Sequence, residues 1–469
     1  MNPGITPPSS HDQNEPLRQD LNAVFGGLGF RPIAPPQGSQ GPRAFRYNPR
    51  RHSEPPSAAL LVRDRTGLLR WHWEGDVAHL PEDARRASRA GLVRGEVIHQ
   101  YEFEQLDSNK LISWITDLDR SLTPGAWMAG SVLHGLRKVV DGKMTDYVFN
   151  ADELSGKKIF LIIHGTASNC EKIIGDIRQA PNVWDLLSAV DKKENYDCVL
   201  AFDHPTLSVS PMINAMTLAA LLRPGGDKAP PRQLDIICHS RGGIVTRWLC
   251  EALAEPRTLH RVIFVGSPLA GTSLAAPRNI AKALNFLTNV IDLARKLLSA
   301  VSAGVVIGIL TAIAGVLLKA LNFLVGLVGK RPVPDFAVQL IPGLAAQQRI
   351  GNNAEIDCLR RYTGGGALTA GNLSYSAVKS NFEPKNPGWN ILGYFSKPLQ
   401  RGLNLAADYV FEAKNDLVVD TESMDSLSDG ILIPPKSVLD FGDSPDVLHT
   451  NYFVQRDTIQ FIRKTFAIV

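Results

Sequence analysis

An α/β fold, with a mainly parallel central sheet covered by helices on both faces, is what this sequence predicts. Two observations carry the prediction. From Lys157 onward short apolar runs alternate with helical segments, the pattern of strands buried on both faces and joined by helical crossovers. The third of these runs ends in Cys238-His-Ser-Arg-Gly-Gly243 and passes straight into a helical stretch, a strand-turn-helix sequence with a serine at the turn.

Composition leaves room for such a fold and excludes others. The 469 residues are 44% hydrophobic and 20% charged, ordinary globular values, so the chain can bury a large core. Fifty basic residues against forty-six acidic ones leave a net charge of +4, too weak a surplus over this length for a nucleic-acid track. The five cysteines are scattered, with no CxxC pair and no Cys/His cluster at zinc-ligand spacing, which argues against a disulfide framework or a structural metal. No basic segment followed by an apolar one opens the chain, so a secretory signal is not expected and the cytoplasm is the expected location.

Residues 1–57, rich in Pro, Gly, Gln and Ser, read as a mobile tail with one apolar patch near Leu21 to Phe30. Its Arg31, Arg43, Arg46, Arg50 and Arg51 suit a solvated tail or a hold on anionic lipid or a partner. Residues 58–150 read as an accessory α/β region. Within it, Ala58 to Val62 and Leu68 to Trp73 form a hairpin, Glu96 to Phe103 a strand, and Ser108 to Leu118 and Ala126 to Val139 helices; the later part can supply the first strands of the following sheet. The sheet runs themselves are Ile159 to Ile163, Cys198 to Phe202, Leu234 to Cys238, Val262 to Val265 and Ala407 to Phe411, with helices at Asn214 to Leu222 and Gly242 to Ala254. No internal repeat is present.

Ser240 occupies the turn where a nucleophile is exposed above the sheet, although a helix N-cap serine would look the same. The residues two before and two after it must be small. Gly242 satisfies this, and Cys238 stands where a glycine is usual. His164-Gly165-Thr166 ends the first run, and the backbone N–H groups of Thr166 and Arg241 would make a two-donor oxyanion hole; His164 itself reads as structural. In this topology an acid and then a histidine follow the nucleophile, and only His260 and His449 come after Ser240. His260 precedes a strand and points away from the strand C-terminal ends, which leaves His449 as the base. The acid is Asp416, in the loop after the last apolar run, with Asp420 as the alternative and Asp203 as a loop stabiliser.

With these residues in place the chain resembles the lipase and esterase branch of the α/β-hydrolase family over about Lys157 to Val469. The matching pieces are His164-Gly165-Thr166, His239 to Gly243, Gly266-Ser-Pro-Leu-Ala-Gly-Thr272, Asn415 to Val419 and His449-Thr450. The resemblance implies Ser240 as nucleophile, Asp416 as acid, His449 as base, and Thr166 with Arg241 as oxyanion donors, without cofactor or metal.

An insertion at about 277–350 carries an uncharged run from Leu297 to Leu318, and its apolar character resumes through Val328. A single membrane crossing would place Ser240 and the Asp416/His449 pair on opposite sides of the bilayer. Two crossings would need roughly 40 apolar residues. A leaflet-dipping hairpin, an apolar lid and a hairpin buried against protein remain, and Ala300, Gly304, Gly308 and Ala312 would give a helix face suited to close packing. The expected function is hydrolysis of lipid esters through an acyl-enzyme, with a lipid or apolar ester as substrate and a membrane surface as partner. A thioesterase, amidase or acyltransferase on the same fold, or a catalytically weak membrane scaffold, is the alternative.

Overall fold

The computed structural model describes residues 14–27, 30–33, 58–64, 67–73, 95–102, 108–122, 135–145, 151–180, 186–223, 229–253, 257–275, 280–297, 310–311, 313–318, 341–349, 353–364, 372–383 and 414–469. The chain forms two compact units, Met1–Gln105 with Leu287–Gly326, and Leu106–Phe286 with Leu327–Val469.

In the first unit, helix α1 (Glu15–Gly27) buries Leu17, Leu21 and Phe25 at four-residue spacing, so part of the expected tail is an amphipathic helix. Strands β1 (Arg31–Ile33), β2 (Ala58–Asp64), β3 (Leu69–Trp73) and β4 (Gly95–Glu102) form an antiparallel sheet in the order β1-β4-β2-β3. Phe25, Phe30, Trp71 and Tyr101 pack as one aromatic cluster, and the Tyr101 hydroxyl donates to Asn22 Oδ1 at 2.9 Å.

The second unit holds the eight-stranded sheet. In chain order its main elements are α2 (Ser108–Leu122), β5 (Leu136–Val140), β6 (Lys143–Met144), β7 (Lys158–Ile163), α3 (Cys170–Gln179), β8 (Cys198–Phe202), α4 (Pro211–Leu222), β9 (Gln233–His239), α5 (Gly242–Arg247), β10 (Leu259–Val265), α6 (Ile280–Leu297, which runs on into the first unit's share of the chain), α7 (Ala354–Gly364), β11 (Leu373–Phe382), β12 (Val438–Ser444) and α8 (Arg456–Phe466). The sheet order is β12-β11-β10-β9-β7-β8-β5-β6; β5 runs antiparallel to β6 and β8, and every other pairing is parallel. Side chains alternate between the faces of each strand, and both faces are covered. Ile159, Leu161, Ile163, Ile236, Cys238 and Phe264 pack with α4 and α5, whereas Phe160, Ile162, Ile237 and Val265 pack with α3 and α8.

The structure departs from the sequence reading at two strands and does not reach a third. Residues 136–139, read as the end of a helix, lie in β5, because Asp141 and Gly142, both at positive φ (50° and 65°), make the tight turn that folds β6 back on it. The run 407–411 lies outside the described residues. The strand beside β10 is β11, whose serines and lysine break the continuous apolar run that marks β7, β8, β9 and β10.

Part of the apolar insertion belongs to the first unit. Leu69 lies on the edge strand β3, and the Asn289 side chain of α6 pairs with it twice: Leu69 N–H donates to Oδ1 at 2.9 Å and Asn289 Nδ2 donates to Leu69 O at 2.8 Å. Trp71 Nε1 donates to Thr288 Oγ1 at 2.9 Å, Arg63 pairs with Asp292 at 3.0 Å, and Arg295 pairs with Asp20. A helix side chain thus occupies backbone groups that an open strand edge would offer to another chain. Within 310–318 the described Leu310, Ala314, Val316, Leu317 and Leu318 are buried. Ala300, Gly304, Gly308 and Ala312 lie outside the described residues. Among the described residues no helix is long and apolar enough to cross a membrane.

Asn289→Leu should leave both Leu69 backbone groups unsatisfied and destabilise the first unit by about 1–3 kcal/mol. Native-state hydrogen exchange should show faster exchange of the Leu69 amide; unchanged protection would mean that the edge is held by other contacts.

Candidate active site

The end of β9 is where the sheet becomes a site. Ser240 follows His239 with φ +51°, a left-handed conformation that costs a non-glycine residue about 1–2 kcal/mol, and α5 begins two residues later. Backbone hydrogen bonds hold the turn: Ser240 N–H donates to Val265 O at 3.0 Å and Gly243 N–H donates to Ser240 O at 2.9 Å. Neighbouring backbone comes close on both sides. A Cβ at Gly165 would lie 2.7 Å from Ser240 Cβ, and one at Gly242 would lie 2.6 Å from His164 O, so both positions must be glycine. The crowding at Gly242 therefore comes from the end of β7. Cys238 turns instead into the core, with Sγ 3.6 Å from Ile263 O, and burial pushes its thiol up to about 12.

Ser240, His449 and Asp416 lie within hydrogen-bonding distance in series. Ser240 Oγ is 3.0 Å from His449 Nε2, and His449 Nδ1 is 2.9 Å from Asp416 Oδ2. Asp416 hangs from the end of β11: Phe382 N–H donates to Asn415 O at 2.9 Å and Asn415 N–H donates to Asn381 Oδ1 at 2.9 Å. A turn at Leu417 (φ 83°) then brings the N–H groups of Val418 and Val419 onto Asp416 Oδ1, at 3.1 and 2.8 Å. The Tyr452 hydroxyl donates to Oδ2 at 3.0 Å. The buried carboxylate has a donor on each oxygen before His449 is counted, the condition under which a charge tolerates burial.

Asp420 stands elsewhere. It accepts from Ser273 N–H at 2.8 Å and Ser273 Oγ at 3.2 Å and lies 3.5 Å from Arg349, so it braces the 271–275 segment. His260 sits at the opposite, N-terminal end of β10, paired in register with Leu234 and Leu373. His164 Nδ1–H donates to Gly165 O at 2.9 Å while Nε2 accepts from His204 N–H at 3.0 Å, which fixes its tautomer and leaves it no link to Ser240. Asp203 accepts from Cys170 N–H at 2.8 Å, at the start of α3.

Beside Ser240, neither the Thr166 nor the Arg241 main-chain N–H makes a hydrogen bond among the described residues. Ala167 (φ 51°) turns the chain there and gives its own N–H to Thr206 Oγ1 at 3.2 Å, while Thr166 Oγ1 donates to Gln347 Oε1 at 3.0 Å. The Arg241 side chain is fully buried and donates to Val209 O; burial lowers its pKa to about 10, opposed by the charges of Asp119 and Glu355. Asp119, from α2, accepts the main-chain N–H groups of Thr206, Leu207 and Ser208 at 2.6–3.0 Å, and so ties down the loop that carries Val209.

Tyr452, Gln347 and Asp119 belong to no motif in the sequence, and His239 enters it only as part of the run around Ser240. Tyr452 has a local signal, three residues after His449. Gln347 and Asp119 become neighbours of Ser240 only through folding, and Asp119 lies in the region read as accessory.

Cys238→Gly should retain activity, whereas Cys238→Leu should overpack the buried face between β9 and α5 and cost about 1–3 kcal/mol of stability, measured by urea titration. A second outcome follows from buried imidazoles. Burial, followed by the charge of His449, lowers the pKa of His239 to about 3, and burial lowers that of His260 to about 4. An unfolded histidine titrates near pH 6.5, so below that pH the unfolded chain binds more protons than the folded one. The stabilisation from these neutral rings is complete above about pH 6.5 and is lost as the pH falls towards 4, at up to about 1.4 kcal/mol per pH unit for each ring. Urea titrations at about pH 7, 6 and 5 should show this decline.

Comparison with curated proteins finds no match. Among solved structures the chain is similar to the mature form of the Bacillus licheniformis lipase BlEst2, at 15% identity over 67% of this chain and 93% of that one, with a TM-score of 0.33. It is also similar to lipase 1 from Pelosinus fermentans (13% identity, 67% and 100% of the two chains, TM-score 0.34). Naproxen esterase (carboxylesterase NP) from Bacillus subtilis is similar at 12% identity over 77% and 99% of the two chains, with a TM-score of 0.33. These likenesses are shallow, and the site described above rests on the chain's own geometry. A family model described as "Domain of unknown function (DUF7379)" matches residues 136–467, well over half of the sequence, and the chain belongs to that family.

Proposed function

We propose that this protein is a serine hydrolase that cleaves carboxylic esters with a long apolar part, most simply lipid esters, through an acyl-enzyme. The observation that carries the proposal is the Ser240–His449–Asp416 series, at 3.0 and 2.9 Å, with the serine on a left-handed strand-to-helix turn. An ionised carboxylate can only accept, so His449 donates its Nδ1 proton to Asp416, and Nε2 keeps a lone pair for the Ser240 proton. As Ser240 Oγ bonds to the ester carbonyl carbon, that proton passes to His449. The carbonyl oxygen gains negative charge, and the unused N–H groups of Thr166 and Arg241 are the proposed donors to it. His449 then protonates the departing alcohol and later activates the water that releases the acid.

A bilayer surface is the partner that 297–328 would suit. Leu310, Val316 and Leu317 are buried, so contact through them would require that they part from the protein around them. Flotation with anionic and neutral liposomes tests this part separately: association lost when 297–328 is replaced by a Gly/Ser linker supports it, and a wild-type chain that stays free of both liposomes removes it.

The hydrolase reading is tested by fluorophosphonate labelling and a panel of p-nitrophenyl esters of increasing chain length, with a thioester and an amide included. Wild-type protein should be labelled and should favour the longer esters. Ser240→Ala and His449→Ala should abolish labelling and lower kcat by roughly 10⁴-fold or more, since the members of such a set act as a unit. Asp416→Asn should be similarly severe, whereas Asp420→Asn should act chiefly on stability. Turnover that survives in Ser240→Ala would end the assignment.

A further inference from the structure

We infer that His239, the residue before the candidate nucleophile, is a positioning residue that holds the main chain of His449 and so sets the distance between base and serine. The inference rests on the hydrolase reading above. Its first support is strand geometry: residues along β9 alternate between faces, and Ile237 packs with the α3 and α8 side, so His239 turns to the same side, where Val265, Tyr452 and Phe453 lie. The loop bearing His449 passes over that face.

The second support is the contact itself. His239 Nε2 is 2.8 Å from His449 O. A carbonyl oxygen can only accept, so Nε2 carries the proton and the tautomer of His239 follows. On the other side of the same residue, His449 N–H donates to Asp416 O at 3.0 Å. The peptide groups on both sides of His449 are therefore fixed, one by the strand that carries the serine and the other by the segment that carries the acid. The two rings are also in contact, with centroids 4.8 Å apart and planes inclined at 39°, and the Phe453 ring lies edge-on to His239 at 5.9 Å.

The placement has a chemical consequence. Ser240 and His239 are adjacent, whereas His449 is more than two hundred residues away in sequence. Through the His239 bond, the separation of Ser240 Oγ from His449 Nε2 is referred to a rigid central strand and no longer depends on the 445–451 loop alone. Charge matters too. The charges of His449, of Lys172 from α3 and of His164 from the end of β7 all oppose protonation of His239. A neutral ring can hold a carbonyl beside a histidine that becomes positively charged during the reaction; a protonated one would oppose that charge.

The test uses His239→Phe, which keeps a ring and removes the donor, and His239→Gln, whose amide nitrogen can reach the same carbonyl. His239→Phe should lower kcat roughly tenfold to hundredfold with KM nearly unchanged, as expected when a reacting group is slightly misplaced, and should slow fluorophosphonate labelling in proportion. His239→Gln should recover most of the loss. In wild-type protein, nitrogen NMR of the histidine rings should show His239 as the neutral Nε2–H tautomer at neutral pH, a readout independent of turnover. If His239→Phe fails to fold, the Gln variant and the NMR tautomer decide. Wild-type turnover in His239→Phe, a folded His239→Gln as impaired as a folded His239→Phe, or an Nδ1–H tautomer would overturn the inference. Absence of labelling in wild-type protein would instead overturn the hydrolase reading, and this inference with it.

Discussion

The left-handed turn at Ser240 is the constraint to which the rest of the second unit answers. A serine holds φ +51° only where its surroundings leave no better choice, and here the surroundings are backbone. Val265 O of β10 accepts from the Ser240 N–H, and the end of β7 approaches at Gly165 and Gly242 too closely for any side chain. The turn is therefore held by the parallel register of β7, β9 and β10, in which Ile163 stands beside Cys238 and His239 beside Val265. Strain of about 1–2 kcal/mol at one residue is small against the burial of three central strands.

Around that turn Asp416 and the 206–208 loop are each held by several hydrogen bonds. Asp416 takes donors from Val418, Val419 and Tyr452 as well as His449, so its position does not depend on the imidazole it orients. Two layers of support differ in kind. Near Asp416, the N–H groups of Val418 and Val419 in one tight loop hold one carboxylate oxygen and the Tyr452 hydroxyl holds the other. Near the Thr166 and Arg241 amides, residues distant in sequence contribute: Gln347 on Thr166, and Asp119 through the 206–208 loop. A change in α2 could thus reach the site through the 206–208 loop and Val209, the partner of the Arg241 side chain.

The first unit solves a different problem. Its four-stranded sheet ends in an edge, and its share of the insertion contains residues too apolar to leave in water. Asn289 occupies the Leu69 backbone, ion pairs from Asp292 and Arg295 reach Arg63 and Asp20, and the described Leu310, Ile313, Ala314, Val316, Leu317 and Leu318 are buried.

The α/β character of the chain was legible because strands covered on both faces are continuous apolar runs, and β7, β8, β9 and β10 are of that kind. Ser240, His449 and Asp416, which lie within hydrogen-bonding distance in series, stood out in the sequence as candidates by residue type, by their places after apolar runs and by their order along the chain. β11 was not, since a strand with serines between its apolar residues has no run to find; nor was β5, where the Asp141-Gly142 turn carried more information than propensity did. The partnership of residues 58–73 with the insertion, the bond from His239 to His449 and the role of Asp119 were decided by tertiary structure alone. Each joins segments far apart in sequence, and which distant polar groups pair depends on packing and register, which local periodicity does not encode.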